Sequence, residues 1–263
     1  MIKVGVFGAG GRMGSTVCNA VVDDPELELV AAVDPYHVDI DLRQLGVHGA
    51  GLNVAAKPDA FLHAGAEVAV DFTVIDGARE NLAWCADNGV HAVVGTSGFE
   101  KAEVEQFRTR FEASEANAVI VPNFAISAVL MMRFAELAAP YFETAEIIEL
   151  HHDEKIDAPS GTAIATAERM ADASGDWAPD PTTKTVLEGA RGGEGAAGIP
   201  IHSVRLRGLM AHQEVLLGTT GQSLTIRQDS YDRTSFIPGV LLAIKAIPTR
   251  PGLTYGLDAL LGI

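Results

Sequence analysis

The first fourteen residues constrain this chain more than any other stretch. Ile2 to Phe7 is an apolar, β-like run that ends directly in G-A-G-G-R-M-G, Gly8 to Gly14, and a helical pattern runs over Arg12 to Asp23. A strand that stops at a glycine cluster and continues as a helix reads as the first βα unit of a parallel sheet. Glycine permits the tight turn and lets a ligand's phosphates approach the backbone. The strict G-x-G-x-x-G spacing fails because Met13 stands at the third position; Gly8, Gly11 and Gly14 carry the turn, with Gly10 extra. A glycine-rich turn without ligand shares that local signature, so context must decide. Asp34 ends the second strand-like run, Leu27 to Val33, 20 residues after Gly14. An acid at that place accepts hydrogen bonds from an adenosine ribose, which makes the pair a dinucleotide site.

The alternation continues. Val68–Phe72, His91–Val94 and Val119–Val121 read as strands, and Asp76–Asp87 and Lys101–Ala113 as helices. Short buried runs between helices predict a parallel sheet with right-handed crossovers. Ligands of such sheets bind at the carboxyl ends of the strands, so Gly95, Thr96, Ser97, Pro122, Asn123 and Phe124 are further candidate contacts. A cap or turn is the plain alternative for Thr96 and Ser97. The segment from Pro35 to Pro58 fits no regular pattern.

Beyond Pro122 the character changes. A helix over Ser127–Ala139 precedes a strand, Ala145–Leu150, and a second helix, Thr162–Ala173. Gly175 to Gly198 is rich in Gly, Pro and charge, and its piece G-A-R-G-G-E-G-A-A-G, Gly189 to Gly198, reads as a mobile loop. Ser203–Leu206, Glu214–Leu217 and Ser223–Gln228 are strand-like without intervening helices, which predicts an open, partly antiparallel sheet. The last helical pattern, Phe236–Ile247, resembles the first part of the chain. The expected fold is α/β: a Rossmann-like dinucleotide-binding domain from residues 1–123 and 234–263, and an inserted α+β domain, 124–233, with an open mixed sheet.

The densest chemistry lies in E-L-H-H-D-E-K-I-D-A-P-S-G-T-A, Glu149 to Ala163. His151, His152 and Lys155 precede Ser160, Gly161 and Thr162 at a helix start. Free N–H groups, the positive end of the helix dipole, two hydroxyls and a lysine charge suit a small carboxylate, and a histidine can protonate it nearby. A plain strand, turn and helix capped by Asp157 or Ser160 accounts for one hydroxyl, but not for two histidines and a lysine. Adjacent histidines on a strand face opposite ways and cannot easily share one ion, so no metal is expected. The formal net charge of -16 argues against nucleic acid or an anionic membrane as partner, though not against a small anion. The N-terminus opens on a strand with no signal-like pattern, and no apolar run is long enough for a span, so a soluble cytoplasmic protein is expected.

Together these segments resemble the dihydrodipicolinate reductase family of diaminopimelate and lysine biosynthesis. The likeness covers essentially the whole chain. Its most specific part is the Glu149–Ala163 string, supported by G-A-G-G-R-M-G, V-D-F-T (Val70–Thr73), V-G-T-S-G-F (Val94–Phe99) and P-N-F-A-I (Pro122–Ile126). A-H-Q-E-V (Ala211–Val215) and D-R-T-S-F (Asp232–Phe236) point to actinobacterial members. The resemblance implies NADH and/or NADPH as cofactor and hydride transfer to a cyclic imine dicarboxylate. Gly8, Ala9, Gly10, Gly11, Arg12 and Met13 would then hold the pyrophosphate and Asp34 the ribose, with Gly95–Ser97 and Pro122–Phe124 beside the nicotinamide. His151 would transfer the proton and Lys155 assist; His152, Gly161 and Thr162 would bind substrate, with Ser160 nearby and Arg233 a further carboxylate candidate. It also implies a homotetramer built through the second sheet, and domain closure during catalysis. Ser97 stands where the family usually has Thr, and Ser127 where Gly is usual. The alternatives are another small-substrate dehydrogenase, such as an amino-acid dehydrogenase, and a cofactor-sensing binding protein, which would not need to keep a proton donor.

Overall fold

The computed structural model describes all residues, 1–263. The chain forms two compact units. Met1–Phe124 and Phe236–Ile263 make the first, and Ala125–Ser235 the second; the sequence-based junctions fall after residues 123 and 233. In chain order the first unit contributes β1 (Ile2–Phe7), α1 (Arg12–Asp23), β2 (Leu27–Val33), α2 (Asp59–Ala64), β3 (Val68–Asp71), α3 (Ile75–Asn88), β4 (His91–Val94), α4 (Lys101–Glu112) and β5 (Ala118–Ile120). The second holds α5 (Ile126–Ala138), β6 (Thr144–His151), α6 (Gly161–Ala173), β7 (Gly193–Glu194), β8 (Pro200–Arg205), β9 (Ala211–Thr219) and β10 (Gln222–Ser230). The chain then returns for α7 (Ile237–Ala246), β11 (Leu253–Tyr255) and α8 (Asp258–Leu261). No helix is long and apolar enough to cross a membrane.

The first sheet has the order β11-β5-β4-β3-β1-β2, with every pairing parallel. Its central strands read as continuous Val/Ala/Ile runs because both faces are covered; all four residues of β3 are buried. Phe7, Phe61 and Trp84 lock β1 to α2 and α3, with Phe7 and Phe61 edge-to-face at 4.6 Å. Such pairs add roughly 0.5–1.5 kcal/mol beyond their buried area. The strand order reverses at β1, which has β2 on one side and β3 on the other. The carboxyl ends of β1 and β3 therefore frame the crevice where a doubly wound sheet takes its ligand.

Residues 35–58 are held without periodic structure. Asp41 bridges Asn53, Asp41 caps a single 3₁₀ turn over Leu42–Leu45, and Leu42, Val47 and Val54 are buried. The short α2 and β11 have no sequence-based counterpart. β11 is fixed by parallel pairing to β5, and the side chain of Asn117 reinforces it: its amide donates to the carbonyls of Ile247 and Pro248 and its oxygen accepts from Gly252 N.

The second sheet has the order β10-β9-β6-β8-β7 and is mixed: β6 runs parallel to β8 and antiparallel to β9. Helices α5 and α6 cover one face. Thr166 of α6 accepts from Gln213 of β9 at 2.8 Å, and Ser127 of α5 donates to Gln228 of β10 at 3.3 Å. On β6 the residues turned to that face are Ala145, Ile147, Glu149 and His151, and the first three are buried. Strand alternation thus sends His151 and Glu149 to the same side, next to the start of α6.

Candidate active site

The glycine turn is built for close approach. Gly8 has a φ of +65°, and a β-carbon on Gly14 would lie 2.0 Å from the Gly8 carbonyl oxygen. Helix α1 is therefore seated directly against the turn, which only glycine at position 14 permits. A β-carbon on Gly10 would lie 2.3 Å from Nδ1 of His37. Gly11 is the N-cap of α1, which has no side-chain cap and no acid in its first turn. The cradle has N–H donors and the positive dipole end but no competing carboxylate in the helix start, which fits a pyrophosphate.

Asp34 closes the turn from the side. It is buried, its Oδ2 accepts from Gly10 N at 3.0 Å and its Oδ1 from Tyr36 N at 2.9 Å. His37 Nδ1 lies 3.1 Å from Oδ2, at ion-pair distance but off the line of a hydrogen bond. Each carboxylate oxygen keeps acceptor capacity for a ribose hydroxyl. The expected behaviour is that NADH serves at least as well as NADPH, since a carboxylate accepts from a 2′-hydroxyl and repels a 2′-phosphate. Asp34→Ala should raise KM for NADH more than for NADPH. Steady-state kinetics with both cofactors decides this; a wild-type kcat/KM tenfold higher for NADPH would show that Arg12 or another cation outweighs Asp34.

The neighbouring strand ends form one packed layer. A β-carbon on Gly95 would sit 2.1 Å from the Phe72 ring, and that ring lies 5.6 Å from the ring of Phe124. Thr96 Oγ1 donates to the Thr73 carbonyl at 2.8 Å, Thr73 Oγ1 donates to Asp71 at 2.7 Å, and Asn81 donates to the other Asp71 oxygen at 2.7 Å. Burial raises the Asp71 carboxyl's pKa, against the pull of these donors. Phe124 is 2% exposed, and the Thr96 hydroxyl lies against the Thr73 carbonyl and the Asp71 carboxylate. Both side chains are buried at the strand ends, whereas Ser97 and Pro122 are exposed and Asn123 is partly so.

The histidine cluster sits at the end of β6. Glu149 is fully buried, and both its oxygens are bound by Arg205 of β8 at 2.8 Å. Its Oε2 lies 2.5 Å from Nδ1 of His151, and its Oε1 accepts from Ser160 N at 3.2 Å. Burial would raise the Glu149 carboxyl, but Arg205, Ser203 and His151 outweigh it and hold its pKa below the ordinary value. Burial lowers the His151 pKa; Glu149 opposes this, while Lys155 and Arg205 add to it. Ser160, not Asp157, is the N-cap of α6, with Oγ accepting from Ala163 N at 3.2 Å. Asp157 instead lies on Lys155, with both carboxylate oxygens 2.8 Å from Nζ. Nothing would obstruct a β-carbon on Gly161, so the helix start is open on that side.

Residues 2–124 match the family model described as dihydrodipicolinate reductase, N-terminus, and residues 127–261 match its C-terminus counterpart. The chain belongs to the dihydrodipicolinate reductase family. The 4-hydroxy-tetrahydrodipicolinate reductase of Corynebacterium urealyticum is 50% identical over 268 residues, and that of Mycobacterium marinum 49% over 264, each covering 100% of both chains. A solved structure, dipicolinate-bound dihydrodipicolinate reductase from Paenisporosarcina sp. TG-14, superposes with a TM-score of 0.86 at 41% identity, covering 98% of this chain and 99% of that one.

Within this reductase fold, the second unit gathers His151, His152, Lys155, Ser160, Gly161 and Thr162 along one strand, turn and helix start. The first unit gathers Gly8 to Met13 with Asp34. Arg233 opens the 3₁₀ turn Arg233–Phe236, where the chain leaves the second unit. Two members of the cluster, Glu149 and Arg205, are absent from the sequence-based candidates. A signal for Glu149 was present: it stands two positions before His151 on a strand, and period two puts them on one face. Arg205 carries no such local signal, because its place opposite His151 depends on the β6–β8 register.

Proposed function

We propose that His151 is the proton donor, and Lys155 with Ser160, Gly161 and Thr162 the carboxylate anchor, of an NAD(P)H-dependent 4-hydroxy-tetrahydrodipicolinate reductase. The observation that carries this reading is a half-buried imidazole with one ring nitrogen anchored on a carboxylate, one strand-turn away from an open helix start beside a lysine. Bound NADH or NADPH supplies a hydride to the conjugated imine system of the substrate. The substrate's two carboxylates need cations and N–H donors. Lys155 meets one once it is released from Asp157, and the N–H groups at the start of α6 suit the other. Hydride addition leaves negative charge on the ring conjugate, which takes its proton from His151. Burial lowers the affinity of the free imidazole for a proton, and the negative charge of an arriving dicarboxylate acts in the opposite direction. The dicarboxylate bound to the Paenisporosarcina relative supports this class of substrate.

The reading extends to a cytoplasmic homotetramer in lysine and diaminopimelate biosynthesis. The sheet face turned away from α5 and α6 leaves Ile148, Leu150 and Leu216 half-exposed, which supports assembly through it. For the carboxylate anchor, Thr162→Val should remove one charge-assisted hydrogen bond, about 1.5–3 kcal/mol, and raise the substrate KM about 10–100-fold. Calorimetric titration with dipicolinate should show a parallel loss. Unchanged dipicolinate affinity would remove Thr162 from the site.

A further inference from the structure

We propose that Glu149 and Arg205 are positioning residues that make Nε2 the only proton-transferring atom of His151; this rests on the reading of His151 as the donor. Glu149 lies on the same face of β6 as His151, and its Oε2 is 2.5 Å from Nδ1. Arg205 is the register partner of His151 on β8 and grips both Glu149 oxygens at 2.8 Å. With the guanidinium in place, Glu149 is held as a carboxylate despite complete burial. A carboxylate only accepts hydrogen bonds. Nδ1 must therefore carry a hydrogen whether the ring is neutral or charged, and Nε2 alone gains or loses one.

Arg205 has a second contact that serves the same end. One of its terminal nitrogens donates to the Asp157 carbonyl at 2.6 Å. The turn that carries Lys155 and Asp157 is thereby tied to the group that orients His151. The charged and titratable groups facing the imidazole are Glu149 on its own strand, Arg205 on β8 and Lys155 in the following turn, itself paired with Asp157. Among them Glu149 alone raises the imidazole's affinity for a proton.

Two measurements test this. In the unaltered chain, ¹⁵N-histidine NMR at a pH where His151 is neutral should show the tautomer with hydrogen on Nδ1 and none on Nε2, the signal being assigned by its loss in His151→Gln. This measurement stands whether or not any Glu149 variant folds. In Glu149→Gln the high-pH limb of kcat/KM, where His151 loses its proton, should move to lower pH by about 1–3 units. kcat should fall about 10–100-fold, as when an orienting partner of a metal-bound histidine is lost. Glu149→Asp, which keeps the charge, should return the limb toward its original pH. An Nε2–H tautomer, or an unmoved limb in a folded Glu149→Gln, overturns the positioning role even if His151→Gln is inactive. Near-normal turnover in His151→Gln sinks the donor reading and this one with it.

Discussion

His151→Gln should lower kcat by about 10²–10⁴-fold, the range for loss of a general acid. Glutamine is close in size and its amide can still donate to Glu149, so the buried carboxylate keeps a partner and the fold is spared. What it lacks is a proton that can be given up near neutral pH. Cofactor affinity should be unchanged, because the glycine turn and Asp34 belong to the other unit of the chain. NADH titration by fluorescence and single-turnover kinetics separate the two effects. A variant that turned over at nearly the wild-type rate would pass the donor role to His152.

Arg205→Met should destabilise the second unit by about 3–5 kcal/mol at neutral pH, because it strips the counter-charge from a buried carboxylate and leaves only hydrogen bonds. The pH dependence gives the sharper test. In the wild type the Glu149 pKa is depressed, so its contribution is present above the unfolded carboxyl range and is lost as pH falls through the folded value. In the variant, burial is unopposed by the guanidinium and the folded pKa rises above the unfolded one. The variant is then penalised above that raised value and relieved as pH falls. The stability gap should narrow from pH 7 toward about pH 4. Urea titration can follow Trp177, the tryptophan of the second unit. A gap that stays constant over that range would mean Arg205 acts through packing alone.

Much of both folds was readable because the elements are strongly periodic. β1, α1, β2 and β4 have the bounds that their apolar patterns predict. The features that were not readable depend on partners distant in sequence. β11 is three residues long and is a strand only because β5 offers its edge. Residues 35–58 are pinned by separate buried side chains, Leu42, Val47 and Val54, which have no common period. In the site, the Ser160 helix start and His151 announce themselves by residue type. Arg205 could have been any surface arginine until register set it against Glu149.

The sheet of the first unit is completed by a strand that leaves the ribosome last. Residues 125–235 have all their sheet partners by Ser230, but β5 waits through more than a hundred residues of further synthesis for β11. Until then its outer edge presents unpaired backbone groups on an Ala-Val-Ile run, the kind of edge that recruits other strands. A nascent chain stalled or clipped before Gly252 keeps its dinucleotide turn and its histidine cluster intact in sequence, yet carries an unfinished, adhesive border. The last dozen residues thus decide whether that border is closed.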